Sequence, residues 1–125
     1  MVKSIITIII ALLILTGGAI FEQTYILNEF KEFSIATLSL KEKAELEIAT
    51  TDETVELQRN WEDKKRILHA FIPHSEIKEI GLWLSEAVEF CQYQNYEELA
   101  DKLRVIYDLS KQIPQSFRVK FENIF

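Results

Sequence analysis

Two histidines, one cysteine and several paired carboxylates are the side chains of this chain that could do chemistry, and their spacing limits which chemistry. His69 and His74 stand five apart with Pro73 between them, whereas two imidazoles reach one ion from one helix face when they sit three or four apart. His74 with Glu76, and His69 as the remaining candidate, begin a zinc or iron site. No third or fourth ligand follows at recognisable spacing, so neither metal nor cofactor is expected. The ordinary role for His74 and Ser75 is to shape a turn and satisfy the backbone donors of a helix start.

Glu86 with Glu89, and Glu97 with Asp101, each share a helix face, the arrangement that can divide acid and base roles. That division needs burial to drive the two pKa values apart, and both pairs fall beside an apolar stripe, towards solvent. Ser75 adjoins His74, but a nucleophile and its base need convergent side chains and an oxyanion site, and no glycine-rich elbow accompanies them. The run Glu62-Asp63-Lys64-Lys65-Arg66 reads as a solvated face in which Glu62 can pair with Lys65 or Arg66. Phosphate-cradling loops, cysteine-pair motifs and dinucleotide fingerprints are absent. The chain is not expected to be an enzyme.

Trp61 and Trp83 could cage a cation or a flat apolar molecule. Both fall on or beside apolar stripes of successive helices, and packing between those helices is the simpler role. Cys91 is the only cysteine. It rules out an internal disulfide and sits on an apolar helical stripe, where a buried thiol is expected.

The elements that would position these residues are helical. Three glycines and two prolines punctuate 125 residues, too few for many short strands. From Ser4 to Phe21 runs an uncharged stretch with an apolar centre, Ile5, Ile6, Ile8, Ile9, Ile10, Leu12, Leu13, Ile14 and Leu15. As a helix it rises about 27 Å, close to the roughly 30 Å hydrocarbon core of a bilayer. A membrane anchor over residues 1–21 is expected, with membrane lipid as its partner. A cleaved secretory signal ending at Gly17-Gly18-Ala19 is the rival reading, opposed by the apolar character that resumes at Ile20 and Phe21. The expected orientation keeps the N-terminus in the cytoplasm and the rest outside, although Lys3 and Lys31 flank both sides of the stretch.

Beyond the anchor, residues 22–125 suffice for one domain. A first stripe, Ile26, Phe30, Phe33, Thr37, Leu40, Ala44 and Ile48, steps by three or four and should continue the anchor helix to near Ala49. Thr50, Thr51 and Asp52 form a polar break that can accept bonds from the next helix's free N–H groups. The second helix presents Leu57, Trp61, Leu68 and Phe71, with the stem of Lys64 filling the gap, and stops at Pro73. Ser75 is the expected cap of the third, with Glu76 in its first turn. Its stripe is Ile77, Ile80, Leu84, Val88 and Cys91, widened by Leu82, Trp83 and Phe90. Gly81, costly in mid-helix by about 1 kcal/mol relative to Ala, suggests a close helix crossing. Asn95 with Glu98 should open the fourth helix, whose face is Tyr96, Leu99, Leu103, Ile106, Ser110 and Ile113, ending before Pro114. The tail from Gln115 to Phe125 is expected to fold back.

Short breaks force neighbouring helices antiparallel. The expectation is an all-α chain, an N-terminal transmembrane helix continuing into a small up-and-down bundle of about four helices. Net charge is −6, and the part beyond Lys3 carries −7 with both signs interspersed. That excludes the basic stripe nucleic acid requires. The apolar faces of the first and third helices are wider than one small core needs, which points to self-association or a protein partner.

The Ile-rich span, the Trp-led helix Trp61 to Ile72, the turn His74-Ser75-Glu76-Ile77 and the ending Glu122-Asn123-Ile124-Phe125 together resemble an uncharacterised family of short single-span bacterial proteins. It is a domain of unknown function found mainly in spore-forming, anaerobic Gram-positive bacteria. Trp61, His74, Glu76, Ile77, Asn123, Ile124 and Phe125 carry the resemblance. It implies no reaction, cofactor or binding residue, and it suggests association with a larger multi-pass membrane protein. The expected function is a membrane-tethered interaction module accessory to another membrane protein, and the alternative is an extracytoplasmic sensor that binds a metal or small ligand between Trp61, Trp83 and His74.

Overall fold

Local sequence divides the chain into four helices, and the breaks between them have identifiable causes. In the computed structural model, which describes the backbone of residues 1–124 and the side chains of 1–116, these are α1 (Val2–Glu45), α2 (Thr51–Leu68), α3 (His74–Gln92) and α4 (Tyr96–Ile124). No strand occurs among the described residues. α1 is continuous for 44 residues, about 66 Å at about 1.5 Å per residue.

Two breaks are closed by the same device. After α1, the N–H of Ile48 donates to the Lys43 carbonyl at 2.9 Å and that of Glu47 to Ala44 at 3.0 Å, with Glu47 in the left-handed region at φ 61°. After α3, Asn95 donates to Phe90 at 2.9 Å and Gln94 to Cys91 at 3.0 Å, with Gln94 at φ 58°. These paired bonds satisfy carbonyls that a helix end leaves open, and the left-handed position usually holds glycine. The turn after α1 overrides the expected continuation to Ala49. It reverses the chain, so Ile48 is exposed and Ala49 takes the buried place instead.

α2 starts with a reciprocal cap. The Thr50 hydroxyl accepts from the Glu53 N–H at 3.2 Å, while the Glu53 carboxylate accepts from the Thr50 N–H at 3.2 Å. Asn95 caps α4 by accepting from the Glu98 N–H at 3.3 Å. α3 departs from expectation, because its cap position is Pro73 with no side-chain hydrogen bond, and Ser75 lies inside the first turn. Proline's fixed φ pre-orients the start without a side-chain acceptor.

α1 packs chiefly along α4, α4 also along α3, and α2 bridges α3 to α1. Among the described residues α1 does not meet α3, nor α2 meet α4, so the helices form a square in chain order. Its core joins Ile26, Phe30 and Phe33 to Leu57, Trp61, Ile80, Leu84, Leu99, Leu103 and Ile106. Ala87, not Val88, takes the buried place on α3. α4 does not end before Pro114 but runs through it to Ile124. A mid-helix proline costs about 3 kcal/mol or more, and here Ile113 and Pro114 are both buried on the face begun by Leu99. Burial along that face offsets the lost backbone bond. The tail from Gln115 to Ile124 therefore extends α4 and does not turn back on it as expected, while the side chains of Asn123, Ile124 and Phe125 lie outside the described residues.

The first half of α1 stands apart from the square. Every residue from Met1 to Gly18 is exposed, including all the large aliphatics of the Ile-rich centre.

Candidate functional site

The turn between α2 and α3 does bring the two histidines together. Their rings stack at 5.3 Å between centroids and 20° between planes, and both residues are exposed. Ring nitrogens donate electron pairs in the ring plane, so stacked rings direct them along parallel planes and not at one ion. Glu76 is half-buried in the first turn of α3, and no group of three or more His, Cys, Asp or Glu assembles among the described residues. The candidate ligand set therefore does not converge.

The carboxylate pairs also stay apart from any enclosed chemistry. Glu86, Glu89, Glu97 and Asp101 are all exposed, and Glu86 faces the Lys102 ammonium at 3.8 Å. Glu62 bonds Lys65 at 2.7 Å, as its helix spacing allows.

The tryptophans serve different seams. Trp61 is buried between Phe30 and Phe33 of α1, with centroid separations of 6.0 and 5.0 Å. It packs towards α1, against the expectation that it meets α3, because α2 turns its stripe to the α1 phenylalanines. Its indole N–H has no hydrogen-bond partner among the described residues, a desolvation cost of about 1–3 kcal/mol accepted for the aromatic burial. Trp83 lies half-buried under the Lys102 ammonium, 4.9 Å from the ring centroid, with Phe90 at 5.7 Å. No shared cage results.

Gly81 likewise does not mark a crossing. A Cβ built there meets nothing within 4 Å. Cys91 is buried, its thiol 3.9 Å from the Ala49 carbonyl oxygen, where it helps seat the turn after α1.

Two polar clamps were not legible as partners. The Lys64 side chain is only 9% exposed and its ammonium bonds Glu29 at 2.7 Å and Glu32 at 3.3 Å, joining α2 to α1. Lys102 joins α4 to α3 through Trp83, Phe90 and Glu86. The signal for the first was a lysine within the α2 stripe and glutamates flanking Phe30 and Phe33. Lys43 on α1 also bonds Glu53, and this bond, with donation from Thr50, holds the Glu53 carboxyl below its ordinary pKa.

Two open grooves lie along α1. The upper one, about 500 Å³, has Leu40 and Leu57 with Ala36 in its lining and Lys43, Asp52, Glu53 and Glu56 around them. The lower one, about 440 Å³, is lined by Gly18, Phe21, Glu22, Tyr25, Ile67 and Phe71 and is almost wholly apolar. Exposed Leu46, Ile48 and Tyr93 cluster on the two turns at the upper end. Exposed apolar side chains thus lie at both ends of the bundle, at these turns and along the lower groove.

No curated protein and no solved structure matches the chain. A family model does, over residues 21–124, which takes in the second part of α1 and the whole of α2, α3 and α4 and starts at the last residue of the uncharged run. The protein belongs to that family, the domain of unknown function DUF4363.

Proposed function

We propose that the protein is a membrane-tethered helical interaction module, an accessory partner of another membrane protein. The observation that carries this reading is one unbroken helix with two kinds of surface. The first half of α1 is long and apolar enough to cross a membrane and none of that window is buried, while the second half is built into the bundle. Burying one large aliphatic side chain is worth about 1.5–3 kcal/mol, and a small domain's whole stability is about 5–15 kcal/mol. Several bare isoleucines together outweigh that margin, so the segment needs an apolar surrounding. In this reading the N-terminus is cytoplasmic and the bundle sits on the outer face, because a short N-terminal tail normally stays inside.

Docking would be the mechanism. A continuous helix fixes the height and angle of the bundle above the bilayer, and the upper apolar residues meet a multi-pass membrane protein or a second copy. Crosslinking in native membranes, followed by capture through a tag after Phe125, tests this. A specific membrane-protein partner or a crosslinked dimer is expected, and a strictly monomeric protein with nothing captured overturns it. Protease digestion of the same tag on intact cells tests the orientation.

A further inference from the structure

The apolar run and the bundle overlap along α1. Gly18 and Phe21 belong to the uncharged stretch, yet they form one wall of the lower groove with Glu22 and Tyr25, opposite Ile67 and Phe71. Positions 18, 21, 22 and 25 make one helical stripe, and it leads directly into the core-facing stripe that begins at Ile26. The stretch rises about 27 Å against a hydrocarbon core of about 30 Å, so none of it can be spared from the span. Gly18 and Phe21 then lie inside the hydrocarbon layer, and whatever faces them across the groove lies at the same depth.

From this we infer that the α2–α3 turn is a second membrane contact, with acyl chains of the adjacent leaflet filling the lower groove. The inference rests on the reading of α1 as a membrane anchor. Phe21 is 72% and Ile67 51% exposed, a waste of apolar surface in water and an ordinary surface in lipid. The groove's volume falls in the range of about 300–1,000 Å³ usual for sites that take small apolar molecules. Among the described residues its mouth at Gly18 is open, since an added Cβ there meets none of their atoms within 4 Å. Exposed Arg66, His69 and His74 flank the turn, where long or amphipathic side chains can reach headgroups while their apolar parts stay in the layer. The bundle thus rests on the bilayer and does not stand off it.

The test replaces Ile67 with the diazirine analogue of leucine in the full chain, reconstituted in vesicles of phosphatidylethanolamine and phosphatidylglycerol. Illumination and mass spectrometry identify what the carbene inserted into. Leu13, in the apolar run, and Tyr93, 76% exposed on the α3–α4 turn, carry the same group as references. Lipid adducts at Ile67 in a yield close to that of Leu13, and far above Tyr93, support the inference. Water insertion at Ile67 with lipid adducts at Leu13 overturns it and leaves the anchor standing. Crosslinks from Ile67 to protein alone also overturn it, and water insertion at both Leu13 and Ile67 removes the anchor as well.

Discussion

The two halves of α1 are parts of the same helix and have opposite surroundings. Between Ile5 and Leu15 apolar side chains cover the whole circumference and all are exposed. Between Ile26 and Ala44 they form one stripe, and that stripe is buried. The arrangement of apolar residues, more than their number, decides what a helix needs: an all-round apolar helix needs an apolar solvent, and a striped one needs neighbours. The halves should therefore be separable by mutation.

Deleting residues 1–21 is the largest test. It should release the protein from membranes pelleted in high salt while leaving a helical, cooperatively melting bundle in the supernatant. Retention in the pellet would mean that the contact at the α2–α3 turn holds the membrane without the anchor, and the contrast between the halves would weaken. Trp61→Ala attacks the striped half, since Trp61 fills the space between Phe30 and Phe33. A loss of about 3–5 kcal/mol is expected on denaturant unfolding, with membrane pelleting of the full chain unchanged.

Smaller effects sharpen the view of where the striped half ends. Thr50→Ala removes the reciprocal cap with Glu53 and should cost about 1 kcal/mol. Glu47→Gly and Gln94→Gly relieve a left-handed backbone at two non-glycine residues. Each should raise stability by about 1 kcal/mol, read as a higher melting temperature, and a decrease would show that the side chains themselves hold these turns.

The smallest effect is pH-dependent. Lys43 and Thr50 hold the Glu53 carboxyl below its ordinary pKa, so its contribution is complete above the unfolded value and is lost as pH falls through the lower, folded one. Glu53→Gln should flatten the decline of stability between near-neutral and acidic pH, and an unchanged acid limb would assign that decline to other carboxylates.

Much of the bundle was legible because helical periodicity is local. The buried positions of α1 followed the expected stripe from Ile26 to Ala44 and failed only at Ile48, where the left-handed Glu47 turned the chain. On α4, Leu99, Leu103, Ile106, Ser110 and Ile113 are buried as their spacing predicts. The same reasoning misplaced the end of α4, because a proline's local cost was visible and the burial of Pro114 was not. Gly81 was misread in the opposite sense, since no described residue comes within 4 Å of a Cβ placed there. The candidate chemistry was legible only as residue types. Stacking of His69 on His74, and the pairing of Lys64 with Glu29, depend on where α2 points relative to its neighbours.

By itself, then, the sequence determined an all-helical chain, the apolar run at its start and the breaks near Thr50, Pro73 and Asn95 to within a few residues, since these follow from the periodicity and chemistry of adjacent residues. Only the tertiary structure decided which seam Trp61 fills, that α4 passes through Pro114, and that Ile67 and Phe71 face Gly18 and Phe21 across one groove. Those outcomes depend on distances between residues far apart in the chain, which no local pattern encodes.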